Sequence, residues 1–223
     1  MAGTGADRVE RDVWWQAGLI TLGSLFRVAF RLRFEGLENI PLQGPALLAC
    51  NHISVLDPVV VALAPSSRGR TVRFLTAAEF FRRPLIGWGL RKFRQIPIRR
   101  GERDFGALQE VGGVIRQGAL AGIFPEGYLG TGPLQRIRRG ASRIALAGQV
   151  PVIPAAIWGT QRRWPKGGFL WTRPWRTCVA LVVGPPIPAE GEARDPADVQ
   201  CLTERIAEGM AACLERAKVV AGA

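Results

Sequence analysis

ALLACNHISVLDPVVVALA, residues 46–64, reads as a strand that turns into a helix. Ala46 to Cys50 is a short apolar run of buried-strand length, and Asp57 to Ala64 has helical character and stops before Pro65. Between them stand Asn51, His52, Ser54 and Asp57, the polar residues of an otherwise apolar stretch. Sites of sheet-and-helix proteins lie in such loops at strand ends.

The same alternation extends in both directions. Residues 12–33 read as a helix, and Leu32 to Phe34 as a short strand overlapping its end. Gly36 to Pro45 is turn-rich, Val72 to Thr76 a β-branched and aromatic strand, and Glu79 to Leu90 a helix broken near Pro84. Gln95 to Ile98 and Leu120 to Phe124 read as strands around an amphipathic helix, Asp104 to Gln117, capped by Asp104 and closed by Gly118. Ala141 to Ala147 is a helix followed by Gly148, and Val152 to Ile157 and Val179 to Val183 are apolar strands. The last helix covers Asp198 to Lys218, with Asp195 or Asp198 near its cap. Strands alternating with helices predict a single α/β domain with a mixed, mostly parallel sheet flanked by helices, preceded by an N-terminal interfacial helical segment.

His52 is the one histidine of the chain. Imidazole, with an unperturbed pKa of about 6.5, is the usual general base near neutral pH. An aspartate five residues on, Asp57, can fold back onto it when a strand end turns into a helix, holding one tautomer and stabilising the imidazolium. The same pair also suits a histidine that merely satisfies a loop, with Asp57 as a helix N-cap.

The 223 residues carry 30 Lys plus Arg against 18 Asp plus Glu, a net charge of +12. Nearly all the cations are arginine; the lysines are Lys92, Lys166 and Lys218. Arginine suits bidentate capture of phosphate or carboxylate. Such a charge fits nucleic acid, an anionic membrane surface or phosphorylated substrates, and it also fits a merely solvated basic surface. Cys50, Cys178, Cys201 and Cys213 form no C-x-x-C pair, so no zinc site is expected and the thiols are read as reduced. Cys50 stands next to Asn51-His52, but a Cys–His dyad needs a thiol facing the ring, and a catalytic Cys50 is not expected. No stretch reaches the ~20 apolar residues of a spanning helix; the nearest, Val13 to Phe26, has 14 residues without a charge. With Trp14 and Trp15 at one end and Arg27, Arg31 and Arg33 beyond the other, it suits either a helix lying in a membrane interface or an ordinary N-terminal helix packed on the domain.

Four polar blocks follow apolar runs in order: Asn51 to Asp57; Ile96-Pro97-Ile98-Arg99-Arg100-Gly101; Phe124-Pro125-Glu126-Gly127-Tyr128; and Val150 to Pro154. Taken together they resemble the glycerolipid acyltransferase family, which includes the bacterial 1-acylglycerol-3-phosphate acyltransferases. Asn51, His52 and Asp57 match its N-H-x4-D block. Arg94 to Arg100 resembles G-x-I-P-V-x-R without the leading glycine and with Arg100 kept. Phe124 to Gly127 matches the start of F-P-E-G-T-R, with Tyr128 and Leu129 in place of Thr-Arg. Ile137 to Ala141 stands at the F-K-x-G-A segment, with Arg138 for the lysine. The resemblance runs from about Gly36 to Val183, so the expected division is residues 1–33, the membrane-interface helix read above, and 34–223, the acyltransferase domain.

The resemblance implies transfer of a fatty acyl group from a thioester, acyl-CoA or acyl-carrier protein, to the free hydroxyl of 1-acylglycerol-3-phosphate, giving phosphatidic acid. The thioester is a co-substrate and no cofactor is expected. His52 is then the general base, oriented by Asp57. Arg100, Glu126, Gly127 and Arg138 are then the acceptor- and phosphate-binding residues, and backbone N–H groups near Pro125-Glu126-Gly127 the oxyanion donors. No covalent acyl-enzyme is required. Leu129, where the family carries arginine, leaves a phosphate contact to Arg99, Arg136 or Arg139, or points to another acceptor: a different lysophospholipid, a lyso-ornithine lipid or a glycolipid. The implied place is the cytoplasmic face of a bacterial inner membrane, held monotopically or peripherally on its anionic surface.

Two segments stay open. Trp158 to Arg176 mixes Trp158, Trp164, Trp171 and Trp175 with five cations, which suits a membrane interface, single-stranded nucleic acid or an inward-packed loop. Phe80, Phe81, Leu85, Ile86 and Trp88 suit either an acyl-chain groove or helix core. A basic nucleic-acid-binding module is the alternative from another class. It leaves the four ordered blocks unexplained, so no nucleic-acid partner is expected.

Overall fold

The computed structural model describes residues 13–98, 105–170 and 176–222. Its elements are α1 (Val13–Ala29), β1 (Phe30–Glu35), β2 (Ala46–Cys50), α2 (Asp57–Ser66), β3 (Val72–Ala77), α3 (Pro84–Lys92) and β4 (Ile96–Ile98). They continue with α4 (Phe105–Arg116), β5 (Leu120–Ile123), α5 (Gly140–Gly148), β6 (Val152–Trp158), β7 (Thr177–Val183) and α6 (Pro196–Val220). The strands form one seven-stranded sheet in the order β1-β7-β6-β2-β5-β3-β4. All neighbours are parallel except β6 and β7. This is the mixed, mostly parallel sheet that the alternation of elements predicts.

β2 lies between β5 and β6, with Leu48 opposite Gly122 on one side and Ile153 on the other. Both of its faces are covered, and all five residues are buried. That accounts for an unbroken apolar run instead of an alternating one. Ala46, Leu48 and Cys50 join a core layer with Trp15 and Phe26 of α1 and Val60 and Leu63 of α2. Leu47 and Ala49 face the other layer, with Val111 of α4, Ile144 of α5 and Leu202 of α6.

Two glycines set close approaches. A Cβ on Gly122 of β5 would stand 2.6 Å from the Phe74 ring, so its absence lets that ring lie across the sheet towards the next loop. A Cβ on Gly112 of α4 would meet the Gly148 nitrogen of α5 at 2.9 Å.

The second contact explains one difference from the sequence reading. Gly148 ends α5 inside the helix, because backbone approaches backbone there, and Gln149 takes the left-handed position with φ 49°. The first helix stops at Ala29, short of residue 33. Phe30–Glu35 instead pairs in parallel with β7, which places Phe30, Leu32 and Phe34 against the core. A 3.6-residue pattern and a two-residue pattern coincide at that junction, and the open edge of β7 decides it. α2 continues through Pro65 to Ser66, its end held by the Ser67 amide donating to Leu63 O and Ala64 O. The cap of α6 is Asp195, whose side chain accepts from the Ala197 amide at 2.8 Å, with Pro196 in the first turn. The expected cap Asp104 lies outside the described residues.

Candidate active site

β2 delivers Asn51 and His52 to the sheet's C-terminal end. Asn51 is fully buried and continues the ladder with its side chain. Its Nδ2 donates to Ile157 O at 3.1 Å, and its Oδ1 accepts from the Ile157 amide at 2.7 Å. The chain then turns, and Asp57, the first residue of α2, folds back under it. Asp57 Oδ2 accepts from the Ile53 amide at 2.6 Å and the Ser54 amide at 2.7 Å, and lies 3.0 Å from His52 Nδ1. Its Oδ1 accepts from the Thr160 hydroxyl at 2.6 Å. Asp57 is therefore no N-cap of its own helix, as one reading of the spacing has it. It is a buried carboxylate held by four donors, one of them the imidazole.

A hydrogen bond from Nδ1–H to the carboxylate leaves the lone pair on Nε2. His52 is the more exposed partner, with 22% of its side chain accessible against 0% for Asp57. The ring plane is held by stacking. Phe124, in the loop after β5, lies 4.2 Å from the imidazole at 19°, and Phe74 lies 5.4 Å beyond it at 3°. Gly122 makes that three-ring stack possible.

The turn after β5 closes the other side. The Gly130 amide donates to His52 O at 2.6 Å. Gly127 has φ 77°, and a Cβ there would lie 2.9 Å from Arg138 Nε, so glycine admits the guanidinium as well as the turn. Arg138 is further placed by its amide donating to Pro125 O at 2.9 Å and by its guanidinium lying 5.8 Å from the Tyr128 ring centroid. Glu126 is fully buried, and neither carboxyl oxygen has a hydrogen-bond partner among the described residues. Burial is the main cause that pushes its carboxyl up to about 7.

His52, Tyr128, Leu129 and Arg138 line one end of a groove of about 1450 Å³. Its remaining walls are mainly apolar, with Leu19 and Leu22 from α1, Leu63 from α2, Phe80, and Leu90 from α3. A base with a free nitrogen, and a cation that lines the same mainly apolar groove, can bind an amphiphile bearing a negative head and take a proton from a hydroxyl placed at the base.

The expected site residues His52, Gly127 and Arg138 thus line one groove, Asp57 is bonded to His52, and Glu126 is buried next to Gly127 in the chain. Arg100 and Arg99 lie outside the described residues. Arg139 donates to Gln200 Oε1 at 2.8 Å, towards α6, and does not line the groove. The Gly127 amide donates to Phe124 O at 3.0 Å, which removes it from the expected oxyanion donors. Cys50 is buried, and desolvation raises its thiol well above the usual range, in keeping with a core role.

Of the open aromatic cluster, Phe80 lines the groove, whereas Leu85, Ile86 and Trp88 are exposed and belong neither to it nor to a helix core. In the second open segment, Trp164 packs edge-on against Phe169 at 5.4 Å and Arg163 is buried beside the same ring. Trp171 and Trp175 lie outside the described residues. Thr160 and the Phe74–Phe124 stack escape a sequence reading. Thr160 stands 103 residues from its partner, and the one signal it carries is its place just after an apolar strand.

A family model described as Acyltransferase matches residues 31–158. A chloroplastic 1-acyl-sn-glycerol-3-phosphate acyltransferase of Arabidopsis thaliana is 30% identical over 142 residues, covering 62% of this chain and 39% of that protein. The 1-acyl-sn-glycerol-3-phosphate acyltransferase of Bacillus subtilis is 29% identical over 122 residues, 55% of this chain and 60% of that protein. The chain spans about two fifths of the length of the first curated relatives it matches. The crystal structure of the 1-acyl-sn-glycerophosphate acyltransferase PlsC from Thermotoga maritima shares the fold, with a TM-score of 0.68 at 24% identity over 96% of this chain and 79% of that one.

Proposed function

Because this chain belongs to the acyltransferase family, we propose that it transfers a fatty acyl group from a thioester to the free hydroxyl of 1-acylglycerol-3-phosphate, yielding phosphatidic acid. The observation that carries this reading is the Asp57-oriented His52, aimed into an apolar groove with Arg138 at its rim. Binding places the acceptor hydroxyl at His52 Nε2. As that oxygen attacks the thioester carbonyl carbon, its proton passes to Nε2, and the carboxylate of Asp57 stabilises the imidazolium. The tetrahedral intermediate collapses by breaking the carbon–sulfur bond. The departing thiolate takes the proton back from the imidazolium, leaving an ester, a free thiol and the resting enzyme. No side chain becomes acylated. Holding both substrates in one groove supplies much of the rate enhancement, and about 1450 Å³ exceeds the ~300–1,000 Å³ of a single small-ligand pocket.

Arg138 and Arg100 meet the acceptor phosphate in this scheme, and Gly127 lets the guanidinium of Arg138 approach. The donor is acyl-CoA or acyl-carrier protein. The enzyme works from an anionic membrane surface, held monotopically or peripherally at the cytoplasmic face of the bacterial inner membrane. In support, Ile20, Leu25 and Val28 of α1 and Leu85 and Trp88 of α3 are exposed apolar side chains beside a groove that α1 and α3 both line. Arg27 lies in the last turn of α1, Arg82 and Arg83 precede α3, and Arg91 and Lys92 lie in its last turn. No described helix is long and apolar enough to cross a membrane. A nucleic-acid role has no matching feature in the family blocks.

Leu129 on the groove wall, with Tyr128 beside it, favours a second reading in which the same chemistry acts on a lysolipid or glycolipid with another head group. Purified protein assayed with a panel of lysolipid acceptors, against both acyl-CoA and acyl-carrier protein, tests the two readings. Transfer to 1-acylglycerol-3-phosphate supports the first. Transfer confined to another acceptor supports the second. No transfer to any acceptor sinks both.

A further inference from the structure

We infer that Thr160 is a positioning residue of the catalytic dyad, governing through Asp57 how readily His52 releases and accepts its proton. The inference rests on the acyl-transfer reading above, yet it has a readout that needs no turnover. Thr160 lies beyond residues 31–158, the span of the family match, and is fully buried. It does not line the groove, so it touches no substrate there.

Thr160 opens a short 3₁₀ turn, Thr160–Arg162, directly after β6. The turn is set by Gly159 at φ 108°, where a Cβ would collide with Cys178 O at 2.2 Å. The turn is tied to the dyad loop twice. The Thr160 hydroxyl donates to Asp57 Oδ1 at 2.6 Å, and the Ser54 hydroxyl donates to Trp164 O at 2.7 Å. The Thr160 carbonyl accepts from the Arg163 and Trp164 amides, both at 3.0 Å, which fixes the turn that presents the hydroxyl.

The division of labour on Asp57 gives Thr160 its role. Oδ2 faces His52 and two backbone amides, while Oδ1 has the Thr160 hydroxyl as its described donor. A buried carboxylate whose second oxygen loses its donor concentrates negative charge on the remaining contacts. The imidazolium then gains, and the base is protonated to a higher pH. Among the described residues, the other titratable or charged groups that act on the dyad or line the groove with His52 are Glu126 and Tyr128 from the turn after β5, Cys50 from β2 and Arg138. None of them contacts Asp57 Oδ1.

His52, as the sole histidine, gives one imidazole signal in NMR, so its titration is read directly in the intact chain. In Thr160→Val the midpoint is expected to move up, with the acid limb of the kcat profile moving by the same amount. KM for donor and acceptor should stay at the wild-type values. Thr160→Ser keeps the hydroxyl and should restore both curves. In an Asp57→Asn background Thr160→Val should change neither kcat nor the His52 midpoint further. If Thr160→Val does not fold, Thr160→Cys, a weaker donor of smaller volume, carries the same comparison. A His52 midpoint in the folded variant at or below the wild-type value overturns the inference, as does an equal shift of both curves in Thr160→Ser. Should the wild type transfer no acyl group to any acceptor, the titration still decides the question, so the two failures are distinguishable.

Discussion

Glu126→Gln tests the electrostatics of the site through stability. Glu126 is fully enclosed with both carboxyl oxygens unpartnered among the described residues, and burial moves its carboxyl from 4.5 to about 7. A carboxyl that holds its proton more tightly when folded is most favourable to folding below the unfolded value. Its contribution is lost as pH rises from 4.5 to about 7, and it is constant above that. At 1.36 kcal/mol per unit, the interval from 4.5 to about 7 has a ceiling of about 3 kcal/mol. Solvent screening beside the open groove lowers this to about 1–3 kcal/mol. Gln has the same shape and no charge, so the variant should lack this pH dependence. Urea unfolding of both proteins at pH 5 and pH 8 measures it. The wild type should lose about 1–3 kcal/mol relative to Glu126→Gln between those pH values, and the two should differ least at pH 5. Parallel pH dependence in the two proteins refutes the reasoning.

Asp57→Asn should keep the fold and lower kcat by about 10²–10⁴-fold, since the amide cannot stabilise the imidazolium; thioester turnover with a lysophosphatidic acid acceptor checks it. Gly127→Ala, at φ 77° and facing Arg138 Nε at 2.9 Å, should cost about 1–2 kcal/mol of stability. It should also raise KM for a phosphorylated acceptor more than for a neutral one, as steady-state kinetics with both acceptors would reveal. Leu85→Ser combined with Trp88→Ala removes exposed apolar surface and should weaken sedimentation with vesicles containing anionic phospholipid by about tenfold or more. Turnover of a dispersed short-chain acceptor should stay unchanged.

Local pattern carried most of the fold, and pairing partners carried the rest. The run Ala46 to Cys50 could be read as a strand because burial on both faces leaves an unbroken apolar segment. Phe30 to Glu35 could not be separated from the helix before it, because its strand character comes from β7, more than 140 residues later. Gly148 looks like a helix terminator in sequence. Its reason is the approach of Gly112, which no local pattern encodes. At the site, His52 and Asp57 were legible since both lie in one loop, five residues apart. Glu126, Gly127 and Arg138 were legible through resemblance alone. Thr160 was not, because a hydroxyl 103 residues away becomes a partner only once β6 lies beside β2. The fate of the aromatic clusters was equally hidden: Phe80 turns into the groove and Leu85 turns out to solvent, though both stand among apolar neighbours.

In the proposed reaction one imidazole, that of His52, takes the proton of the acceptor hydroxyl. The most direct measurement is transfer from a thioester to 1-acylglycerol-3-phosphate by folded His52→Ala, with lysolipid binding measured on the same preparation. Near-complete loss of transfer with acceptor binding retained is the predicted result. Wild-type turnover in that variant contradicts the account.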